Sequence, residues 1–247
     1  PEIVAAGHGA LVLRDAARWG HLNVLRAAYT HLAAPTDGSL AASRDGAGGP
    51  NEQLAHVYPH PIFYAAAGNY DDLVDELTAR DGGACARLHV YYGDEDWSAS
   101  PVDIAVANHL RGSLAPKDHV RCNSHGCAAV RTVRALGACG ALAHPSSALH
   151  ALEHGCEVLV DELVPLCACS TYSNGLADLL LEAVRRGLSH HARAILLRLR
   201  AHAPELTPKR ISHALCAAAE RGDTGLVREL LDIGANSALA DENGKTA

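Results

Sequence analysis

The stretch LCAAAERGDTGLVRELLDIGANSALADENGKTA, residues 215–247, restricts the fold of this chain more than any other. Ala217, Ala218 and Ala219 are small and strongly helix-forming, so a neighbouring element can approach closely. Gly222 stands where that helix must end in the left-handed region. Leu226, Val227, Leu230 and Leu231 recur at the spacing of a second helix with one apolar stripe. Gly234 ends it, and Asp241 to Thr246 has the composition of a tight turn closed by an Asx side chain. Two short helices with a tight reversal thus fit within 33 residues. The turn glycines recur: Gly155 to Gly187 spans 32 residues and Gly187 to Gly222 spans 35.

Composition suits such a repeat. Aromatics make up 4% of the 247 residues, with one Phe, so the core must be built from Ala, Leu and Val. Thin, closely stacked helices fit that supply better than a sandwich or barrel. In a repeat each unit packs mainly on its neighbours, so the length is one array rather than one or two ordinary domains. The net charge of −7 disfavours general nucleic-acid binding. No run of about 18 apolar residues is present, so no membrane span is expected. No signal peptide is visible, and the absence of Met suggests a trimmed or fragmentary chain. Eight Cys at this length do not form a disulfide framework; reduced thiols in a cytoplasmic or nuclear setting are expected. Only Lys117, Lys209 and Lys245 are lysines among 21 basic residues. A GC-rich genome explains this bias, and avoidance of ubiquitination is the sharper alternative.

The helix–Gly–helix stretch resembles an ankyrin repeat, whose period is about 33 residues around a Thr-Pro-Leu-His-x-Ala core. Asp15 to Leu22 is similar to the family's Ala-Ala-x-x-Gly-His-Leu segment. His60-Pro61-Ile62-Phe63-Tyr64-Ala65-Ala66 stands where Thr-Pro-Leu-His-x-Ala-Ala would, and Asn69 takes the Gly position, since Asn tolerates positive φ. Ser100-Pro101-Val102-Asp103-Ile104-Ala105 fits another opening, with Ser100 as N-cap and Pro101 in the first turn. Ala148 to Gly155 and Ala183 to Gly187 continue the series. The resemblance implies an all-α ankyrin-repeat solenoid of about six helix-turn-helix units. They lie near 11–32, 60–80, 100–114, 146–166, 178–203 and 213–247, with insertions at 33–58 and 115–144. Within the second insertion, residues 122–136 are expected to be part helical.

In that family partners meet the concave face, made from turn tips and the residues before the helix-ending Gly. Carried onto this chain, those are Arg18 and Trp19, Glu153 and His154, Arg185 and Arg186, and Glu220 and Arg221, with Tyr64 in the second unit. Asp96 and Trp97 lie near a turn tip. Exposed Trp and Arg are the usual interface hot spots. The implied partner is another protein, bound by a chain otherwise monomeric. Divergent repeats with insertions are similar to those of large DNA viruses and host-directed effectors, which implies a role in a host cell. Residues 71–103 hold nine acids and residues 185–210 seven bases, a segregation able to steer a charged partner.

Enzyme motifs are missing: there is no Gly-x-Ser-x-Gly, P-loop or His-Glu-x-x-His. No catalysis and no cofactor are expected. A zinc set could be drawn from Cys122, His125, Cys127 and Cys139, but its spacing is loose and buried apolar Cys is the favoured reading. The rivals to a scaffold are a zinc-stabilised module and a regulatory domain of a larger enzyme.

Overall fold

The structure, a computed structural model, describes residues 9–33, 60–91, 98–112, 126–167, 173–202, 208–241 and 244–247. Among the described residues the elements are helices, apart from a two-residue antiparallel pairing of β1 (Val90–Tyr91) with β2 (Ser98–Ala99), in which Val90 faces Ala99, and a single parallel bridge between Ala143 and Cys167. The described residues fall into two units. The first holds α1 (Gly9–Arg18), α2 (Leu22–Ala33), α3 (Pro61–Ala67), α4 (Asp71–Asp81), α5 (Pro101–Gly112) and most of α6 (Ala128–Ala138). The second holds α7 (Pro145–Glu153), α8 (Glu157–Leu163), α9 (Ser173–Arg186), α10 (Ser189–His202), α11 (Pro208–Glu220) and α12 (Thr224–Asp232).

Three of the described helices, α3, α5 and α7, begin where the sequence supplies a proline and a cap. Pro fixes φ for the first helical turn and lacks a donor there that would be orphaned anyway. Ahead of Pro101, Ser100 and Asp103 cap each other. The Ser100 backbone N–H and hydroxyl both donate to Asp103 Oδ2 at 2.9 Å, and the Asp103 N–H donates to the Ser100 hydroxyl at 3.2 Å. Ahead of Pro61 and Pro145 the cap is a histidine: His60 Nδ1 accepts from the Ile62 N–H at 3.2 Å and His144 Nδ1 from the Ser146 N–H at 3.1 Å. An imidazole can accept there only while that nitrogen is unprotonated.

One turn recurs at the ends of five first helices. After α1, α3, α7, α9 and α11 a single residue takes positive φ: Gly20, Asn69, Gly155, Gly187 and Gly222. The one non-glycine is Asn69 at φ 52°, which the sequence reading put in the glycine position. The following N–H reaches back to a carbonyl five residues earlier, and that carbonyl is always an alanine's. The bonds are His21 to Ala16, Tyr70 to Ala65, Cys156 to Ala151, Leu188 to Ala183 and Asp223 to Ala218, all 2.8–3.1 Å. This is the six-to-one bond that closes a helix ending in a left-handed residue. All five alanines are at most 3% exposed. The first helices of adjacent pairs pack there: α1 on α3 and α3 on α5 in the first unit, α7 on α9 and α9 on α11 in the second. A methyl group lets two backbones approach where a longer side chain would hold them apart.

Each first helix also packs on its own second helix: α1 on α2, α3 on α4, α7 on α8, α9 on α10 and α11 on α12. The cores are aliphatic, with Leu13, Leu25, Ile62, Leu73 and Leu77 in the first unit and Leu152, Leu159, Leu163, Leu176, Leu179 and Leu180 in the second. On α12, Leu226 and Leu230 are buried as the stripe predicts, whereas Leu231 is 44% exposed. The closing turn forms as expected, with Asp241 Oδ1 accepting the Lys245 N–H at 2.8 Å.

The second expected insertion, 115–144, contains α6, anchored by Arg131 to Asp71 on α4 at 2.7 and 3.2 Å. The first, 33–58, lies outside the described residues beyond Ala33. Among the described residues, no helix is long and apolar enough to cross a membrane.

Candidate functional site

The turn that closes each first helix leaves the residues before it at the surface. In the second unit Glu153, His154, Arg185, Arg186, Glu220 and Arg221 are all exposed, at the C-terminal ends of α7, α9 and α11. Helix C-termini carry unpaired carbonyls and a partial negative charge, which cations complement. Two of the arginines do this across the helix pairs. Arg186 Nη1 donates to the Glu153 carbonyl at 3.4 Å, and Arg221 Nη1 donates to the Arg185 carbonyl at 3.1 Å. The Arg221 guanidinium covers Gly187, so that a Cβ at position 187 would collide with it. Arg186 is held further by Glu182 at 2.6 Å, and Glu220 is bridged by Lys245 at 2.7 Å. In the first unit Asn108 of α5 reaches the Ala67 carbonyl at 3.5 Å, the equivalent bond from a neutral donor.

Of the site residues predicted from sequence, Arg18, Trp19 and Tyr64 belong to the first unit. Trp19 is 65% exposed, and the Arg18 guanidinium stands over its ring at 5.7 Å. Trp19 lines an open apolar groove with Leu11, Val12, Ala16 and Val24, edged by Asp15 and His21. Tyr64 is half-buried on α3. Asp96, Trp97, Cys122 and His125 lie outside the described residues. Cys127 and Cys139, both half-buried, stand at opposite ends of α6, eleven residues long. At 1.5 Å rise per residue an ion held at one would lie roughly 18 Å from the other.

The second helices carry a set of ion pairs that local pattern did not reveal. Arg26 on α2 meets Glu76 on α4 at 2.8 Å, and Asp71 on α4 meets Arg131 on α6. In the second unit Arg193 on α10 meets Glu229 on α12 at 3.0 Å, while His190 and His191 on α10 meet Asp161 on α8. The Arg26 hydrogen bond holds the Glu76 carboxyl below its ordinary pKa, and the Arg131 hydrogen bond does the same for Asp71. Asp75 moves the other way, raised by burial and by Asp71 and Asp72.

These pairs change the meaning of the uneven charge. Of the acids in residues 71–76, Glu76 sits against Arg26 and Arg80, and Asp71 against Arg131. Among the bases of residues 185–210, Arg186 meets Glu182, Arg193 meets Glu229 and Arg210 meets Asp178, while Arg198 and Arg200 donate to backbone carbonyls. Segregation along the chain is therefore partly cancelled between neighbouring helices. The signal that could have found Arg193 and Glu229 is opposite charge recurring near the repeat spacing, 36 residues apart; Arg26 and Glu76, 50 residues apart, do not follow that spacing.

No protein-family model and no curated protein matches this chain.

Proposed function

We propose that this chain is a non-catalytic ankyrin-repeat scaffold that binds another protein through the exposed ends of its first helices. The observation that carries the reading is the row Glu153–His154, Arg185–Arg186 and Glu220–Arg221. It is repeated at the same place on three adjacent helices whose turns are already closed by backbone bonds. A surface built this way costs little ordering on association, since Arg186 and Arg221 are held before a partner arrives. The helix–turn–helix pairs with buried alanines at each crossing support the ankyrin assignment. The reading extends to a partner met in the cytoplasm or nucleus of a host cell.

Capture from eukaryotic lysate, with wild type beside Glu153→Arg/Arg185→Glu/Glu220→Arg, tests the proposal. A partner retained by wild type and lost by the variant, with the same helical content and melting temperature, supports it. A partner list that survives these changes but is lost on Trp19→Ala moves the site to the groove of the first unit. A list insensitive to both sets of changes removes the reading.

A further inference from the structure

The second helices α8 and α10 bring together one carboxylate and two imidazoles that the scaffold reading does not use. His190 Nε2 lies 3.3 Å from Asp161 Oδ1, and His191 Nε2 lies 3.2 Å from the same oxygen. Each of the three side chains offers a ligand atom within 4.8 Å of the other two. The imidazole rings face each other at 3.6 Å between centroids, tilted by 45°. Asp161 and His190 are 50% and 64% exposed at their side chains, while the His191 side chain is 1% exposed.

Hydrogen bonding alone accounts poorly for this arrangement. A charge-assisted N–H···O bond closes to about 2.7–2.9 Å, and neither histidine comes that near. The single proton on His191 Nε2 would also have to serve the Glu157 carbonyl, 3.3 Å away, as well as Asp161. The other ring nitrogen, His191 Nδ1, is buried with no hydrogen-bond partner. Protonating both rings would set two like charges in contact. A cation in place of the Nε2 protons answers Asp161 from both rings at once and removes the like-charge contact, and it leaves the one proton of His191 on Nδ1.

The donor-atom separations from Asp161 suit that cation, and the exposed His190 ring has only to turn away from His191 for both Nε2 atoms to point at one ion. Zinc binds imidazole nitrogen and carboxylate oxygen at about 2.0–2.2 Å in a tetrahedron. The edge of such a tetrahedron is about 3.3 Å, the spacing found between Asp161 Oδ1 and each histidine. Two imidazoles with one carboxylate suit zinc and its borderline neighbours rather than calcium or magnesium, which take all-oxygen sets. We propose that Asp161 Oδ1, His190 Nε2 and His191 Nε2 form a zinc-binding site that clasps two consecutive helix pairs, with water in the fourth position on the exposed side. Asp161 comes from α8 and both histidines from α10, so the ion joins elements 29 residues apart in sequence. The site is independent of the cysteines, and of whether the exposed helix ends bind a partner.

The test uses the whole chain, reduced and freed of metal by chelator. Zinc is titrated against a chromophoric competitor, beside Asp161→Ala and His190→Ala. Both positions are half exposed or more, so neither substitution empties a core. The expected result is one zinc-binding event that weakens by at least about tenfold in each variant, while the metal-free melting temperature stays the same. Cobalt added in place of zinc gives weak visible bands with no intense near-ultraviolet thiolate band. Absence of a zinc-binding event in wild type overturns the proposal, as does an affinity unchanged in both variants. A thiolate band abolished by Cys122→Ser places the ion at the cysteines and overturns it equally.

Discussion

His60 caps α3 through a nitrogen that must stay unprotonated. Burial lowers its pKa from 6.5 to about 4, against a weaker opposing pull from Asp81. The folded state therefore resists a proton that the unfolded chain accepts. Above pH 6.5 neither state binds it and the cap contributes fully. Between about 6.5 and 4 the unfolded chain gains protons first and stability falls. Below about 4 both states are charged and the loss levels off, at about 3 kcal/mol. His60→Asn keeps an N-cap acceptor without the titration. Urea midpoints measured from pH 7.5 to 4 should fall less steeply in the variant than in wild type. Gly187 makes a second residue-scale prediction. Its φ of 76° strains any L side chain, and a methyl group there would also displace the Arg221 guanidinium. Gly187→Ala should cost about 1–2 kcal/mol or more in chemical denaturation.

At the scale of elements, the alanines beneath each turn set how close neighbouring first helices lie. Ala183 is fully buried on α9, which packs on both α7 and α11. Ala183→Leu should destabilise by about 1–3 kcal/mol, because a filled contact must be wedged open. Leu197 on α10, 65% exposed, is the control: Leu197→Ser should leave the denaturation midpoint within about 0.5 kcal/mol of wild type. The same scale shows what was legible in the sequence. The turns were, because a left-handed residue admits few side chains, and Asn69 could be placed among the glycines for that reason. Helix α6 was only partly so. Its own pattern is helical, but its place beside α4 depends on Arg131 meeting Asp71 across 60 residues, and no local period encodes that. The exposed ends Arg185–Arg186 and Glu220–Arg221 were readable from the turn. That Arg186 and Arg221 also bond a neighbouring helix's carbonyl was not, since those acceptors are main-chain atoms. The Asp161, His190 and His191 cluster was hidden in the same way, while the cysteines drew attention through mere proximity in sequence.

For the molecule as a whole, charge that is uneven along the chain is partly paired between neighbouring helices within each unit. Long-range steering should accordingly be weak. With a partner in hand, the association rate should fall by less than about tenfold between 0.05 and 0.5 M salt, measured by stopped flow; a steeper fall would show that an unbalanced field survives.

The repeated turn has an evolutionary consequence. Its requirements sit at the left-handed residue and at the alanine two or three positions before the exposed pair. Folding information and recognition information thus occupy different letters of the same few residues. Glu153, His154, Arg185 and Glu220 are side chains the closure itself does not consult. A saturation-mutagenesis library should tolerate most replacements at these four positions and few at Ala151, Ala183 or Ala218. A scaffold arranged in this way can exchange one target for another by small steps, each leaving a foldable protein behind it.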